Sequence, residues 1–249
     1  MTVTKLTPDR AVRSVFASVL VGVDGTEEGL EACRQAGAVV DPAGVVAVVG
    51  VVETALAAQA GFDSARVAEE LEEEAERAVS AAGELLGHGT RRRLVAGLPV
   101  PLLRAEAAAT GATLLALGSH GHRRLTEILI GGVAGELLHA APCSVLIARR
   151  PQHERPFPSA LVVGDDGSAQ AAAALAAAHE LAARTDASVR VVRAATEPVE
   201  ALVEASEDAD LVLLGSRGLH GVRALGSVSE RVAHEARCSV LVVRPPLTS

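Results

Sequence analysis

The sequence predicts an α/β fold, and three observations carry that prediction. Short apolar runs alternate with longer helical patterns, the first half closes on an apolar run, and the second half repeats phrases of the first. Strand–helix alternation implies a parallel sheet with helices on both faces, here an open, mostly parallel, doubly wound sheet. Hydrophobic residues make up 49% of the 249, with no Trp, no Tyr and three Phe (Phe16, Phe62, Phe157). A core of Val, Leu, Ile and Ala suits β-branched strands under Ala-rich helices, whose small side chains permit close approach.

Taken in order, "VFASVLVGVD" (15–24) reads as a strand ending at a helix-start signal, Asp24-Gly25-Thr26, and residues 27–39 as a helix. "GVVAVVGVV" (44–52) reads as a strand buried on both faces. Residues 64–86 form a long acidic helix whose stripe is Val67, Leu71, Ala75, Ala78, Ala82 and Leu85. "RRRLVAG" (91–97) is polar enough for an edge strand. Residues 99–110 are helical, with Pro99 and Pro101 in the first turn. "TLLALG" (113–118) is a strand, Gly131 begins a helix that runs to Ala141, and "SVLIAR" (144–149) closes the half.

The run "RRPQHERPFP" (149–158) carries four charges and three prolines and reads as a linker. After it, "ALVVGDDGS" (160–168) matches "SVLVGVDGT" (18–26), and "GSVSERVAHEARCSVLVVR" matches "GGVAGELLHAAPCSVLIAR" without gaps. This is an internal duplication: a first domain at 1–150, a linker at 151–158 and a second copy at 159–249. Asp24 and Gly118 stand 94 positions apart and Asp166 and Gly215 only 49, so the second copy lacks 45 residues, about one strand and a long helix. Its sheet should be smaller, with "SVRVVRA" (188–194) in place of two strands. The closing strands (144–148 and 239–243) are candidates to pair across a pseudo-two-fold, hiding two apolar edges. Further homodimerisation of the chain stays open.

Net charge is −8, which repels polyanions and argues against nucleic acid as a partner. The missing aromatics argue the same way, because base stacking needs them. Cys33, Cys143 and Cys238 have no metal-ligand spacing and read as buried thiols in a reducing compartment. No apolar leader or membrane-length run is present, so the expected location is the cytoplasm. No nucleophile–base set and no metal cluster is legible, so no catalytic residue is assigned.

The chemistry lies in "GSHGHRRLTEILIGG", from Gly118 to Gly132, echoed by "GSRGLHGVRALGS" from Gly215 to Ser227. A glycine-rich turn between strand and helix exposes backbone N–H groups, and the helix N-terminus adds partial positive charge. Together they make an anion site, most often for phosphate, at the carboxyl ends of the strands. Asp24 ends a neighbouring strand and could accept a hydrogen bond from a ribose hydroxyl in the same crevice.

"VGVDGT", Gly118-x2-Gly121-x9-Gly131 and "APCSVLIAR", repeated in part as "GDDGS…GSRG…GSVSERVAHEARCSVLVVR", resemble the universal stress protein family in tandem, over nearly the whole chain. The resemblance implies strand order 3-2-1-4-5, pairing through the last strand, and ATP binding in members that keep Gly-x2-Gly-x9-Gly-Ser/Thr. Carried over, it marks Asp24, Gly118, Gly121, Gly131, Gly132, Val133 and Ala134 in the first copy. In the second it marks Asp166, Gly215, Gly218, Gly226, Ser227 and Ser229. Both copies depart from the motif. The first has Gly132 where a hydroxyl belongs and Ala134 where the second has Ser229. The second has a seven-residue spacer from Gly218 to Gly226. The first copy is therefore expected to be the better site, for ATP or a related adenine nucleotide with any Mg²⁺ arriving on the phosphates, in a stress-response sensor or regulator. The alternatives are a nucleotide-free module for a protein partner of unknown identity and, with least support, a weak ATPase.

Other residues carry two readings each. Asp24 either contacts ribose or caps the helix at 27, and Asp166 stands the same way beside a solvated Asp165. The recurrent spacing favours ligand approach over plain turn geometry for Gly118, Gly121, Gly131 and Gly132. His120, His122, Arg123, Arg124, Arg217 and Arg223 either steer phosphate or form solvated tips, and the solvated reading is preferred. His139 and His234 are read as mid-helix structural residues, Cys143 and Cys238 as buried, and Glu69 to Glu76 as a solvated face.

Overall fold

Short β-branched runs form the strands, and Ala- and Leu-rich runs form the helices that cover them. The computed structural model describes residues 14–54, 63–87, 89–120, 130–216 and 226–244. The first half contains β1 (Ser18–Val23), α1 (Glu27–Val39), β2 (Val45–Val52), α2 (Ser64–Leu86), β3 (Arg91–Ala96), α3 (Pro99–Thr110), β4 (Leu114–Gly118), α4 (Gly132–Ala140) and β5 (Ser144–Ala148). The second contains β6 (Ala160–Gly164), α5 (Ala169–Thr185), β7 (Ser188–Val192), α6 (Pro198–Ala205), β8 (Leu211–Gly215), α7 (Ser227–Glu235) and β9 (Ser239–Val243).

Among the described residues these strands form one nine-stranded sheet, ordered β3-β2-β1-β4-β5-β9-β8-β6-β7. The first five positions are the expected 3-2-1-4-5. The second half repeats them without a counterpart of β3, the smaller sheet its shorter sequence implied. Neighbours are parallel except β5 and β9, which run antiparallel with Val145 opposite Val242, Leu146 opposite Leu241 and Ile147 opposite Val240. Leu146 and Leu241 are counterparts in the ungapped repeat, so a pseudo-two-fold passes through that pair.

Period-two alternation sends successive strand residues to opposite faces. Leu115, Leu117, Val145 and Ile147 pack with Val162, Val212, Val240 and Val242 under α3, α4, α6 and α7. Leu114, Ala116 and Leu146 pack with Leu161, Leu211 and Leu241 under α1, α2 and α5. Each core crosses the seam, so the halves share both layers.

Local signals fix the helix starts. Thr26 caps α1 by accepting from Gly29 N at 3.1 Å, and Ser168 caps α5 by accepting from Ala171 N at 3.1 Å. The caps are thus Thr26 and Ser168 rather than Asp24 and Asp166. The two aspartates brace the caps: Asp24 Oδ1 accepts from Thr26 N at 3.0 Å and Thr26 Oγ1 at 2.6 Å, and Asp166 Oδ1 from Ser168 N at 3.0 Å. Asp165 is not simply solvated either. Gly167 N donates to it at 2.9 Å and Arg193 Nε at 2.7 Å. α3 opens on proline and stops at Gly111, which adopts the left-handed conformation at φ 61°.

Several strand ends fall short of the sequence reading. β1 begins at Ser18 because the chain first turns, Ala17 N donating to Ser14 O. β2 is not buried throughout, since Val45 at its start is 50% exposed. The segment after β5 is held to the second half. Gln152 donates to Arg237 O, and Arg155 Nε donates at 2.8 Å to Asp210, whose other oxygen accepts from Ser159 N and Ala160 N. No helix among the described residues is long and apolar enough to cross a membrane.

Candidate functional site

Two cavities lie at the carboxyl ends of the strands, one per half. The first has a volume of about 520 Å³ and is lined by Asp24 after β1, Val49, Val51 and Glu53 from β2 and its end, Leu103 of α3, Gly118 and His120 after β4, and residues 131–134 at the start of α4. The fold therefore brings Asp24, Gly118, Gly131, Gly132, Val133 and Ala134 to one opening. It does so by closing the excursion after β4: Ser119 N donates to Ala148 O at 2.9 Å, and Gly131 N donates to Ser119 O at 2.7 Å. Gly121 and Gly218, and His122, Arg123, Arg124, Arg217 and Arg223, lie outside the described residues.

α1 and α5 have side-chain caps, whereas α4 has none. Its first-turn amides cannot be satisfied by intrahelical carbonyls, and among the described residues no side chain caps them. The lining also holds three carboxylates, Asp24, Glu53 and Glu74, and among the described residues no Lys or Arg. An anion there would rely on backbone dipoles rather than on side-chain cations.

The glycines divide into two kinds. A Cβ on Gly118 would stand 2.7 Å from Glu28 C and 2.9 Å from Gly29 N, and one on Gly215 would stand 2.3 Å from Gln170 C. α1 and α5 cross these positions, so packing alone requires both to be bare, whatever approaches Gly118 from the cavity. Gly132 behaves differently, since an added Cβ meets nothing within 4 Å.

The second cavity is about 150 Å³ and is lined by Asp165, Asp166, Ser168, Gly215, Val228 and Ser229 among others. Gly226 and Ser227 are not in its wall, and Ser229 Oγ donates to Gly215 O at 3.2 Å. The hydrogen bonds from Ser168 hold the Asp166 carboxyl below the usual carboxylate range, as the Gly167 amide and Arg193 do for Asp165.

His139, His234 and the three cysteines lie outside the walls of both cavities. His139 and His234 lie in the last turns of α4 and α7 rather than mid-helix. His139 Nε2 is 3.4 Å from Glu230 Oε1, an ion pair across the seam when protonated. Burial pushes the Cys33, Cys143 and Cys238 thiols up to about 12, so none is a thiolate at neutral pH. Sequence reasoning missed Val49, Val51, Glu53, Leu71, Glu74 and Leu103 as cavity lining. Leu71 was already visible as stripe and Glu74 as part of the acidic run, but nothing local tells which α2 residues overhang a crevice.

The model of the universal stress protein family matches residues 16–149 and 194–244, in two pieces that correspond to the two halves. The chain belongs to that family. It is a tandem universal stress protein. Universal stress protein Rv2623 of Mycobacterium tuberculosis is 29% identical over 187 residues, 55% of this chain and 63% of that relative's length. Universal stress protein Rv2005c of the same organism is 27% identical over 204 residues, 62% of this chain and 68% of that one. Among solved structures, a universal stress protein from Archaeoglobus fulgidus aligns with a TM-score of 0.70 at 19% identity, over 92% of this chain and 99% of its own. The functionally unknown protein PA1789 of Pseudomonas aeruginosa aligns with a TM-score of 0.62 at 17% identity, over 93% of both chains. At these identities the structural likeness concerns the fold.

Proposed function

We propose that the first cavity binds ATP or a related adenine nucleotide, and that the protein acts through this binding as a sensor or regulator rather than through turnover. One observation carries the reading: the uncapped first turn of α4 and the Asp24 carboxylate line a single opening of about 520 Å³. That volume falls in the range of small-molecule sites, roughly 300–1,000 Å³. In this arrangement the amides of residues 132–134 receive phosphate, Asp24 accepts from ribose hydroxyls, and Val49, Val51, Leu71 and Leu103 supply an apolar wall for the base. Magnesium would enter on the phosphates and lower the charge that meets Glu53 and Glu74. The second cavity, at about 150 Å³, is too small for a nucleotide, so the unit at 159–249 serves as a partner to the unit at 1–150 rather than as a second binding site.

Titration calorimetry with ATP and Mg²⁺ tests this. The wild type gives saturable binding near one ATP per chain, and Gly132→Leu, which fills the open space at the start of α4, removes it. A wild type that binds no adenine nucleotide refutes the proposal. The second reading, a nucleotide-free interaction module, draws support from the missing hydroxyls at Gly132 and Ala134. Stoichiometric nucleotide in native mass spectra would count against it.

A further inference from the structure

We infer that the second half completes the first cavity from behind, with Arg244 as a positioning residue for α4; this rests on the reading of that cavity as an anion site. Arg244 follows β9, yet its guanidinium reaches across the seam. Nη1 donates to Ala141 O and to Cys143 O, each at 2.9 Å, and Nη2 donates to Leu138 O. These carbonyls belong to the last turn of α4 and the residues just after it. Arg244 N also donates to Ser144 Oγ at 3.0 Å, which ties the arginine's backbone to the start of β5. The side chain is nearly sealed, with the residue 5% exposed.

The opposite half shows the mirror image. Arg149, which follows β5, donates through Nη1 to Cys238 O at 3.1 Å and through Nη2 to Ala233 O at 2.5 Å, and its backbone N donates to Ser239 Oγ at 3.0 Å. Leu138 and Ala233, Cys143 and Cys238, Ser144 and Ser239, and Arg149 and Arg244 are all counterparts in the repeat. Burial lowers the Arg149 pKa to about 10, so this guanidinium keeps its charge at neutral pH. Each half thus places a buried cation on the C-terminal carbonyls of the other half's motif helix.

The two helices differ in what their opposite ends face. α4 has nine residues, so it spans about 13 Å from the carbonyls that Arg244 holds to the amides that line the first cavity. A cation at a helix C-terminus is favourable to the helix dipole, and three acceptors fix the helix axis as well as its charge. Without that anchor, buried carbonyls lose their donors, and a helix this short can tilt or fray at both ends. α7, which Arg149 holds, lines the small second cavity through Val228 and Ser229 and does not line the first. The arginine of the half with the smaller cavity therefore serves the half with the larger one.

The symmetry supplies its own control. ATP affinity is measured by calorimetry for the wild type, Arg244→Met, Arg244→Lys and Arg149→Met, beside hydrogen exchange at the amides of 132–135. Arg244→Met is expected to weaken ATP about fivefold or more and to speed exchange in the first turn of α4. Arg244→Lys keeps a charge and should recover part of both, and it is the variant to rely on if the methionine form does not fold. Arg149→Met should lose a comparable amount of thermal stability while its ATP affinity stays within about twofold of wild type. Wild-type affinity in both Arg244 variants overturns the inference. So does equal weakening by Arg149→Met, which would reduce the effect to general destabilisation. If the wild type itself does not bind ATP, the nucleotide reading fails, and hydrogen exchange alone judges the role of Arg244: unchanged protection of 132–135 in both Arg244 variants overturns it.

Discussion

Restoring a hydroxyl at Gly132 should tighten nucleotide binding. Gly132 opens α4 and lines the first cavity, and an added Cβ meets nothing within 4 Å. Serine therefore fits without displacing a neighbour, and its hydroxyl enters the space beside the uncapped amides. A hydrogen bond to a charged group contributes about 1.5–3 kcal/mol, or roughly 10- to 150-fold in Kd. Ordering the side chain takes back a few tenths of a kcal/mol, so a gain near the lower end, about tenfold, is expected. Serine is also the better helix residue by about 0.5 kcal/mol, which raises thermal stability without ligand. Melting temperature is therefore the wrong readout. Calorimetric titrations of wild type and Gly132→Ser with ATP and Mg²⁺ at one ionic strength give the answer. A raised melting temperature with an unchanged Kd would refute the placement of phosphate over α4.

Gly118→Ala should destabilise the free protein by about 1–3 kcal/mol through its clash with the α1 backbone, read as a lower urea midpoint; an unchanged midpoint contradicts the packing account. Asp210→Ala removes the acceptor of Ser159 N and Ala160 N and the carboxylate partner of Arg155, and should lower stability by about 2–4 kcal/mol in the same assay. Burial lowers the His234 pKa, helped by Arg149 and His139 and opposed by Glu230 and Glu235. The unfolded state then binds the extra proton first, so the stability tied to the neutral ring is complete above about pH 6.5 and falls as the pH drops below it. His234→Gln should flatten melting temperature against pH between about 6.5 and 5; an unaltered slope would show that other groups govern it. All three thiols should resist a disulfide reagent until the chain unfolds, and fast labelling of Cys143 or Cys238 in native protein would disprove their burial.

The repeat made the sheet legible, because alternation and ungapped counterparts locate strands without reference to tertiary contacts. The antiparallel seam could be anticipated from two apolar closing strands that would otherwise stand exposed. α6 was harder to read: only its Pro198-Val199 start echoes the Pro99-Val100 start of α3, and the rest lies in a stretch of mixed polarity. Asp24 and the residues around Gly131 were readable as one site because glycine spacing is a backbone property that survives in sequence. The wall formed by Glu53, Leu71 and Leu103 was not, since it depends on how α2 and α3 lean over the strand ends. Gly118 shows a limit of motif reasoning: two causes, ligand approach and helix crossing, leave the same letter. The cross-seam contacts of Arg149 and Arg244 were equally hidden, for an arginine after a strand looks like any solvated end.

A protein made of two identical chains must carry every change twice, so a deletion that spoils one crevice spoils both. Joining the copies on either side of Leu146 and Leu241 lifts that constraint. One copy can shed a strand and a helix and keep only the contacts its neighbour needs, while the other retains the full-sized hollow. The short connection also keeps the mates together at any dilution, so their fit does not depend on how much protein the cell makes.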